Sequence, residues 1–412
     1  MYSITRFACL VSFSLLLNSS LVFAASKAEI KLLVEQEKQG VEGARVKLFK
    51  ALQNDKIKAA TDASKLEVIK KYADLGDAYA KFDLGLFYYN SASTPDEYNL
   101  ALQWFKASVE SGIEKANEYI GVIFYSGALG RSDHASALPY LSKAADLGSD
   151  HAQHALGMLY LQGKVVAQSL EKSVELFTLS AEQNNVDAQS VLGRMYYDPK
   201  FGFQNFTISF DYLSKAAEAG EPKAQFYLGR MYRLGLGVDK NDEKAAYWYE
   251  SSARQGYVEG QYNIAYFYGK GIGVEKSDQT AVYWYSQAAQ QGDARAINNL
   301  AEAIRYGRGT EKDIHKAIKY YKMVAKVLPV AQVNLGVIYK NGEGVAPDYA
   351  QAKHWLKQAT EKGVAEASYE LGLMHYYGLG ISVDKVQAKY YIEAAANKGF
   401  DKAVTAMTEL SF

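Results

Sequence analysis

Apolar positions along the chain fall into columns that return at a pitch of 36 residues, as from Gly193 to Gly229. One column of small residues runs Gly85, Gly121, Gly157, Gly193, Gly229, Ala265, Ala301, Gly336 and Gly372. A large aliphatic residue precedes each member, from Leu84 to Leu371, and another small residue lies five places before it, from Ala80 to Ala367. Small and aliphatic positions four apart share one face of a helix, here termed helix A. Glycine inside a helix costs about 1 kcal/mol relative to alanine, so its return predicts that another backbone packs against that spot.

The second half of each copy has its own pattern. Glu97, Asp133, Ser169, Asn205, Asn241, Ser277, Asp313, Asp348 and Asp384 form a column of expected helix caps. All but Glu97 are short side chains that accept from free N–H groups at a helix start. Four residues on comes a small column, Ala101 to Ala388, and three further a mostly aromatic one. The aromatic column reads Trp104, Tyr140, Leu176, Tyr212, Trp248, Trp284, Tyr320, Trp355 and Tyr391. Its phase with the alanines predicts core, filling the gaps between helices. Helix B then closes on glycines such as Gly112, Gly220 and Gly292, which supply a left-handed turn. Paired glycines, as in Gly235–Gly237 and Gly378–Gly380, mark the hinge between the two helices.

Each copy therefore reads as a helical hairpin. Ordering its backbone costs on the order of 1–2 kcal/mol per residue, and one hairpin buries too little to offset that. Neighbours must stack.

The pattern A…LG..Y..G.GV…..KA..WY..AA..G closely resembles the Sel1-like repeat, and it is clearest from Ala224 to Gly256 and from Gly260 to Gly292. The resemblance covers nine copies and implies an all-α fold, a right-handed α/α solenoid (superhelix) of helical hairpins with degenerate end caps. It also implies a scaffold for protein complexes, in bacteria often exported and working in the envelope or at the host. The expected layout is a signal peptide over 1–24, a helical cap with a degenerate repeat over 25–76, nine repeats over 77–399 and a capping helix over 400–412.

Three departures are expected to matter. The stretch DPKFGFQNF replaces the glycine hinge of the fourth copy, so Pro199 and Phe201 should reshape that loop. KVLPVA replaces the closing glycine of the seventh copy, where one step of the pitch falls to 35 residues. Pro139 lies inside a helix B, where it should kink the helix or remove a hydrogen bond.

The N-terminus breaks the pattern. Arg6, the run FACLVSFSLLL, then VFA and Ala24–Ala25 have the anatomy of a cleaved secretory signal. The alternative is an uncleaved anchor. The expected location is periplasmic or secreted, with no membrane insertion after cleavage. Cys9, the only cysteine, falls inside this leader, so the mature chain is expected to have no disulfide or thiolate chemistry.

Composition adds restraint. Lys plus Arg and Asp plus Glu both number 46, so no global field favours nucleic acid. Thirty-three tyrosines are spread along the length. GKGIGVEKS lacks the order of a phosphate-binding loop and reads as a hinge. His151 and His154 lack a third metal ligand and read as solvent-facing, while His375 reads as packed. No catalytic motif stands out, so neither enzyme activity nor a cofactor is expected.

Candidate partner contacts lie where the copies differ. Positions two before, one after and five after the glycine column share one face of helix A. They include Arg194, Tyr227, Arg230, Asn263, Tyr266, Asn299, Glu302, Tyr306 and Asn334. Asn263, Asn299 and Asn334 would form an amide ladder for an extended peptide, flanked by Arg and Tyr anchors. The alternative for these asparagines is a solvated groove or a bond to a neighbouring repeat. The favoured partner is a protein or peptide, and the alternative is an envelope glycan or peptidoglycan in a Tyr-rich groove. Oligomeric state is not legible.

Overall fold

A computed structural model describes residues 63–412, together with Leu32 and Gln36. The expected leader over 1–24 and most of the N-terminal cap over 25–76 lie outside the described residues. Twenty α-helices lie between Ala63 and Glu409, and no strand occurs among the described residues. No helix among them is long and apolar enough to cross a membrane.

The chain divides into two compact units, Met1–Leu147 and Gly148–Phe412. The first contains α1 (Ala63–Asp74), α2 (Ala78–Ser91), α3 (Pro95–Glu110), α4 (Ala116–Ser126) and α5 (His134–Asp146). The second begins with α6 (Asp150–Gln162), α7 (Leu170–Glu182), α8 (Val186–Tyr197), α9 (Phe206–Glu218) and α10 (Pro222–Leu234). It continues with α11 (Asp242–Arg254), α12 (Val258–Lys270), α13 (Asp278–Gln290), α14 (Ala294–Tyr306) and α15 (Ile314–Val324). It ends with α16 (Pro329–Asn341), α17 (Tyr349–Glu361), α18 (Ala365–Tyr377), α19 (Lys385–Ala396) and α20 (Asp401–Glu409). Within each unit hairpins stack on their neighbours, the arrangement of an α/α solenoid. In the second unit one apolar cluster runs from Phe226 to Ile338 across successive hairpins.

The cap column starts eight of the nine helices B. Asn241 accepts from the Lys244 N–H at 2.8 Å, and Asp313 from that of Lys316 at 2.9 Å. The exception is the first copy, where Thr94 is the cap and Glu97 closes a reciprocal capping box three residues later.

The glycine column answers to a side chain more than to a backbone. A Cβ on Gly157 would lie 2.9 Å from the Phe177 ring, and one on Gly193 2.6 Å from Leu213 Cγ. Phe105, Leu141, Phe177, Leu213, Tyr249, Leu356 and Ile392 fill this position in their copies, all nearly or fully buried. These knobs follow the expected aromatic column by one residue. In that column Trp284 is buried, but Trp104, Trp248 and Trp355 are only half-buried. A helix turns by roughly 100° per residue, so adjacent positions divide core filling between them.

The paired glycines do more than turn the chain. Gly273 has φ +63, and a Cβ there would lie 2.1 Å from the Asp242 carbonyl oxygen at the start of the preceding helix B. The loop backbone thus seats directly on the previous hairpin. Buried glutamines add polar ties. Gln225 donates to the Ala217 carbonyl at 3.1 Å and accepts from Gln255 at 2.8 Å, joining the end of α9 to α10 and α11.

The irregular copies have local solutions. In the fourth, Pro199–Phe201 form a 3-10 turn and Gly202 has φ +78. At the close of α7, Asn184 takes φ +67 in place of glycine, being among the residues that tolerate that conformation. α15 ends without a left-handed residue, and its last carbonyl, that of Val324, accepts from the N–H groups of both Leu328 and Val327 at 2.8 and 3.0 Å. α5 runs through Pro139 as one helix.

Candidate functional site

Helices A of neighbouring repeats in the second unit pack on one another, α8 on α10 and α16 on α18. No pair of helices B does so to the same extent. Helices A therefore form the inner row, and their variable positions lie side by side. Because Ala224, Leu228 and Met231 point into the core, α10 turns Arg230 away from it and leaves Tyr227 half-buried at its edge.

Arg194, Tyr227 and Arg230 come together. The Arg230 guanidinium lies over the Tyr197 ring at 5.4 Å and the Phe226 ring at 5.9 Å. The Tyr197 and Tyr227 rings meet edge to face at 5.2 Å. Burial pushes the Tyr197 hydroxyl above its usual range, against the pull of Arg230. Arg194 donates its Nε to the Ser190 carbonyl at 3.2 Å. Tyr257, whose ring packs on Phe226 at 5.5 Å, completes an aromatic floor.

The three asparagines do not form an open ladder. Asn263 turns back to the Glu259 carbonyl of its own helix at 2.7 Å. Asn299 donates to the Tyr285 hydroxyl at 3.1 Å and accepts from Asn298 at 3.3 Å. Asn334 donates to Asn298 at 3.4 Å and accepts from Arg305 at 3.3 Å. Tyr266 and Tyr306 are exposed, and Glu302 is paired with Arg308 at 2.6 Å.

Arg305 went unseen in the sequence. It is 4% exposed and forks onto Glu343 at 2.6 and 2.8 Å. Tyr197 occupies the corresponding position, four residues after the glycine column, on a flank of helix A that meets the next repeat. A comparison of that column across copies would have found both.

Of these three histidines, His154 alone departs from expectation, while the His151 side chain is 42% exposed and His375 is packed, as expected. His154 is not solvent-facing: it packs on the Phe177 ring at 5.7 Å, and burial lowers its pKa against the pull of Asp187. His151 bonds Asp150 at 2.9 Å, and His375 stacks on Tyr391 at 5.6 Å. No cluster of three or more His, Cys, Asp or Glu side chains among the described residues is placed to hold a metal. A cleft of about 610 Å³ between α11 and α13 is lined by Glu250, Arg254, Gln261, Thr280, Tyr283 and Trp284. Its Arg254 and Glu250 already pair with each other at 2.6 Å.

Paired helices, small-residue seams and a variable inner row define a helical-repeat scaffold. The Sel1 repeat model matches residues 78–113, 115–149, 150–185, 186–221, 222–257, 258–293, 294–326, 329–364 and 365–400. The chain belongs to the Sel1 repeat family, whose members generally mediate protein interactions.

Among solved structures, a protective antigen of uropathogenic Escherichia coli displaying an SLR fold is 29% identical. That match covers 93% of this chain and 91% of the other, with a TM-score of 0.59. A Sel1 repeat protein from Oxalobacter formigenes is 28% identical over 84% of this chain and 90% of its own, with a TM-score of 0.42. One from Klebsiella pneumoniae is 23% identical over 48% and 98%, with a TM-score of 0.34. No curated protein matches the chain.

Proposed function

We propose that this chain is an exported scaffold that holds a protein or peptide partner along the inner row of helices A, in the envelope or at the host interface. The observation that carries the reading is the contrast within α8, α10, α12 and α14. Their core positions repeat, while Arg194, Tyr227, Arg230, Tyr266, Glu302 and Tyr306 change from copy to copy on adjoining helices. Arginine and tyrosine are favoured interface anchors. The leader-like start and the likeness to a protective antigen support export.

The test places a photo-crosslinking amino acid at Tyr266 or Tyr306, and in controls at Tyr247 or Tyr283, which are exposed on helices B. A discrete protein adduct from the inner pair alone is the expected result in cells. Equal labelling at all four positions, or labelling of the outer pair alone, would reject the inner row. Retention on purified sacculi without any protein adduct would favour the glycan reading. Fractionation of the tagged chain tests export, and recovery in the cytoplasm with its leader intact would reject that part.

A further inference from the structure

The second unit contains seven arginines, and five of them pair with carboxylates. Arg233 pairs with Asp242, Arg254 with Glu250, Arg295 with Asp293, Arg305 with Glu343 and Arg308 with Glu302, all within 3.1 Å. The two left without a carboxylate among the described residues are Arg194 and Arg230. They stand at the same repeat position, 36 residues apart, on α8 and α10, which pack on each other. Both are half-buried.

Their surroundings hold them ready for an anion. Arg230 is stacked on Tyr197 and Phe226, which limits its rotamers while its N–H fork stays free of a counter-ion. Lys223 lies near enough for Arg194 to depress its pKa after burial has done so, with Glu221 and Glu259 pulling the other way. Glu221 forms no ion pair with either arginine; its carboxylate caps α10 through the Ala224 N–H at 2.5 Å and accepts from Ser190 at 2.8 Å. Asp198, just past the end of α8, is held by Lys200 at 2.8 Å.

We infer that Arg194 and Arg230 form a paired receptor for two carboxylates of an acidic peptide segment, laid across α8 and α10. This deepens the scaffold reading and rests on it. Helices in contact lie roughly 8–10 Å apart, too far for both guanidiniums to clasp one carboxylate head-on. A polyproline-II segment returns to the same face every third residue, after about 9 Å. Acidic side chains at i and i+3 of an extended segment therefore meet both forks, and guanidinium–carboxylate forks give bidentate, charge-assisted bonds. Tyr227 and Tyr257 offer flat apolar surface to the residues between.

The experiment uses the full chain and two fluorescent peptides, one with Glu at i and i+3 in a Pro/Ala background and one with Gln at both places. Saturable binding of the Glu peptide is expected, at least tenfold tighter than the Gln peptide and weakening as salt rises. R194A with R230A should abolish the preference, whereas R254A, which removes an exposed outer arginine, should leave it intact. R230K should weaken binding while keeping the preference for Glu. Far-UV circular dichroism and urea midpoints confirm that each variant folds.

Equal binding of the two peptides, an unchanged preference in the double variant, or no saturation up to about 1 mM overturns the inference. Crosslinking at Tyr266 and Tyr306 is read separately. If that succeeds while the acidic peptide fails, the receptor pair is wrong and the scaffold reading stands.

Discussion

Gly157→Ala is expected to reverse sign according to what stands at position 177. Alanine is the better helix former by about 1 kcal/mol. In the native chain its Cβ meets three ring atoms of Phe177 at 2.9, 3.0 and 3.2 Å. Overpacking of that kind costs about 1–3 kcal/mol, so the net change is a loss of up to about 2 kcal/mol. Phe177 is fully buried, and Phe177→Ala alone should cost about 3–5 kcal/mol.

In the Phe177→Ala background the new methyl enters vacated space. Its burial contributes about 0.8 kcal/mol, and the helix preference is no longer opposed. Gly157→Ala should then stabilise by about 2 kcal/mol, giving a coupling of about 2–4 kcal/mol across the four-protein cycle. Urea titrations followed by circular dichroism read the cycle. Hydrogen exchange over α6 and α7 checks it locally, because stacked repeats can open in parts. Equal stabilisation by Gly157→Ala in both backgrounds would refute the reasoning, since the ring would not be what excludes the methyl.

Gly273→Ala should lose more than about 3 kcal/mol, because strain at φ +63 adds to a 2.1 Å clash with the Asp242 carbonyl. Gly292→Ala, with φ +88 and nothing within 4 Å, should lose only about 1–2 kcal/mol by the same urea assay. Gln261→Leu removes the donor to the Ala253 carbonyl and the acceptor for Gln291, and should cost about 1–3 kcal/mol with faster exchange at the end of α11. Glu343→Gln strips the counter-charge from buried Arg305 and should cost about 3 kcal/mol at neutral pH. Burial would raise the Glu343 pKa, but Arg305 prevails and holds it below the ordinary 4.5. A depressed folded pKa gives stability that is complete above 4.5 and lost as pH falls through the folded value. The native urea midpoint should therefore drop more steeply in acid than that of Glu343→Gln, and parallel curves would contradict the pairing.

The frame was legible because it repeats. The caps from Asp133 to Asp384 and the small columns each solve one packing problem in eight or nine copies, and the paired glycines do so in the last five. Which aromatic fills the core was less legible. Trp248 and Tyr249 are neighbours of similar character, and a rotation of one residue decides between them. Even so, Tyr249 is nearly fully buried and Trp248 only half so. The inner row was legible as a face but not as a network. Arg305 and Glu343 are 38 residues apart, and no periodic pattern announces a bond made only once.

That bond also belongs to the network that holds two of the three asparagines, Asn299 and Asn334, whereas Asn263 folds back onto its own helix. The pitch shortens between Ala301 and Gly336, and α15 closes there without a left-handed turn. Across the same junction Arg305 ties Glu343 and Asn334, and Asn334 reaches Asn298, which holds Asn299. An irregular step leaves polar groups to be satisfied by side chains instead of by a repeated backbone contact. The junction between α8 and α10 keeps the regular pitch and needs no such repair. Equivalent columns of the inner row thus serve cohesion where the pitch shortens, and they leave Arg194 and Arg230 without a carboxylate where the pitch holds at 36 residues, even though the hinge loop between α8 and α9 is irregular.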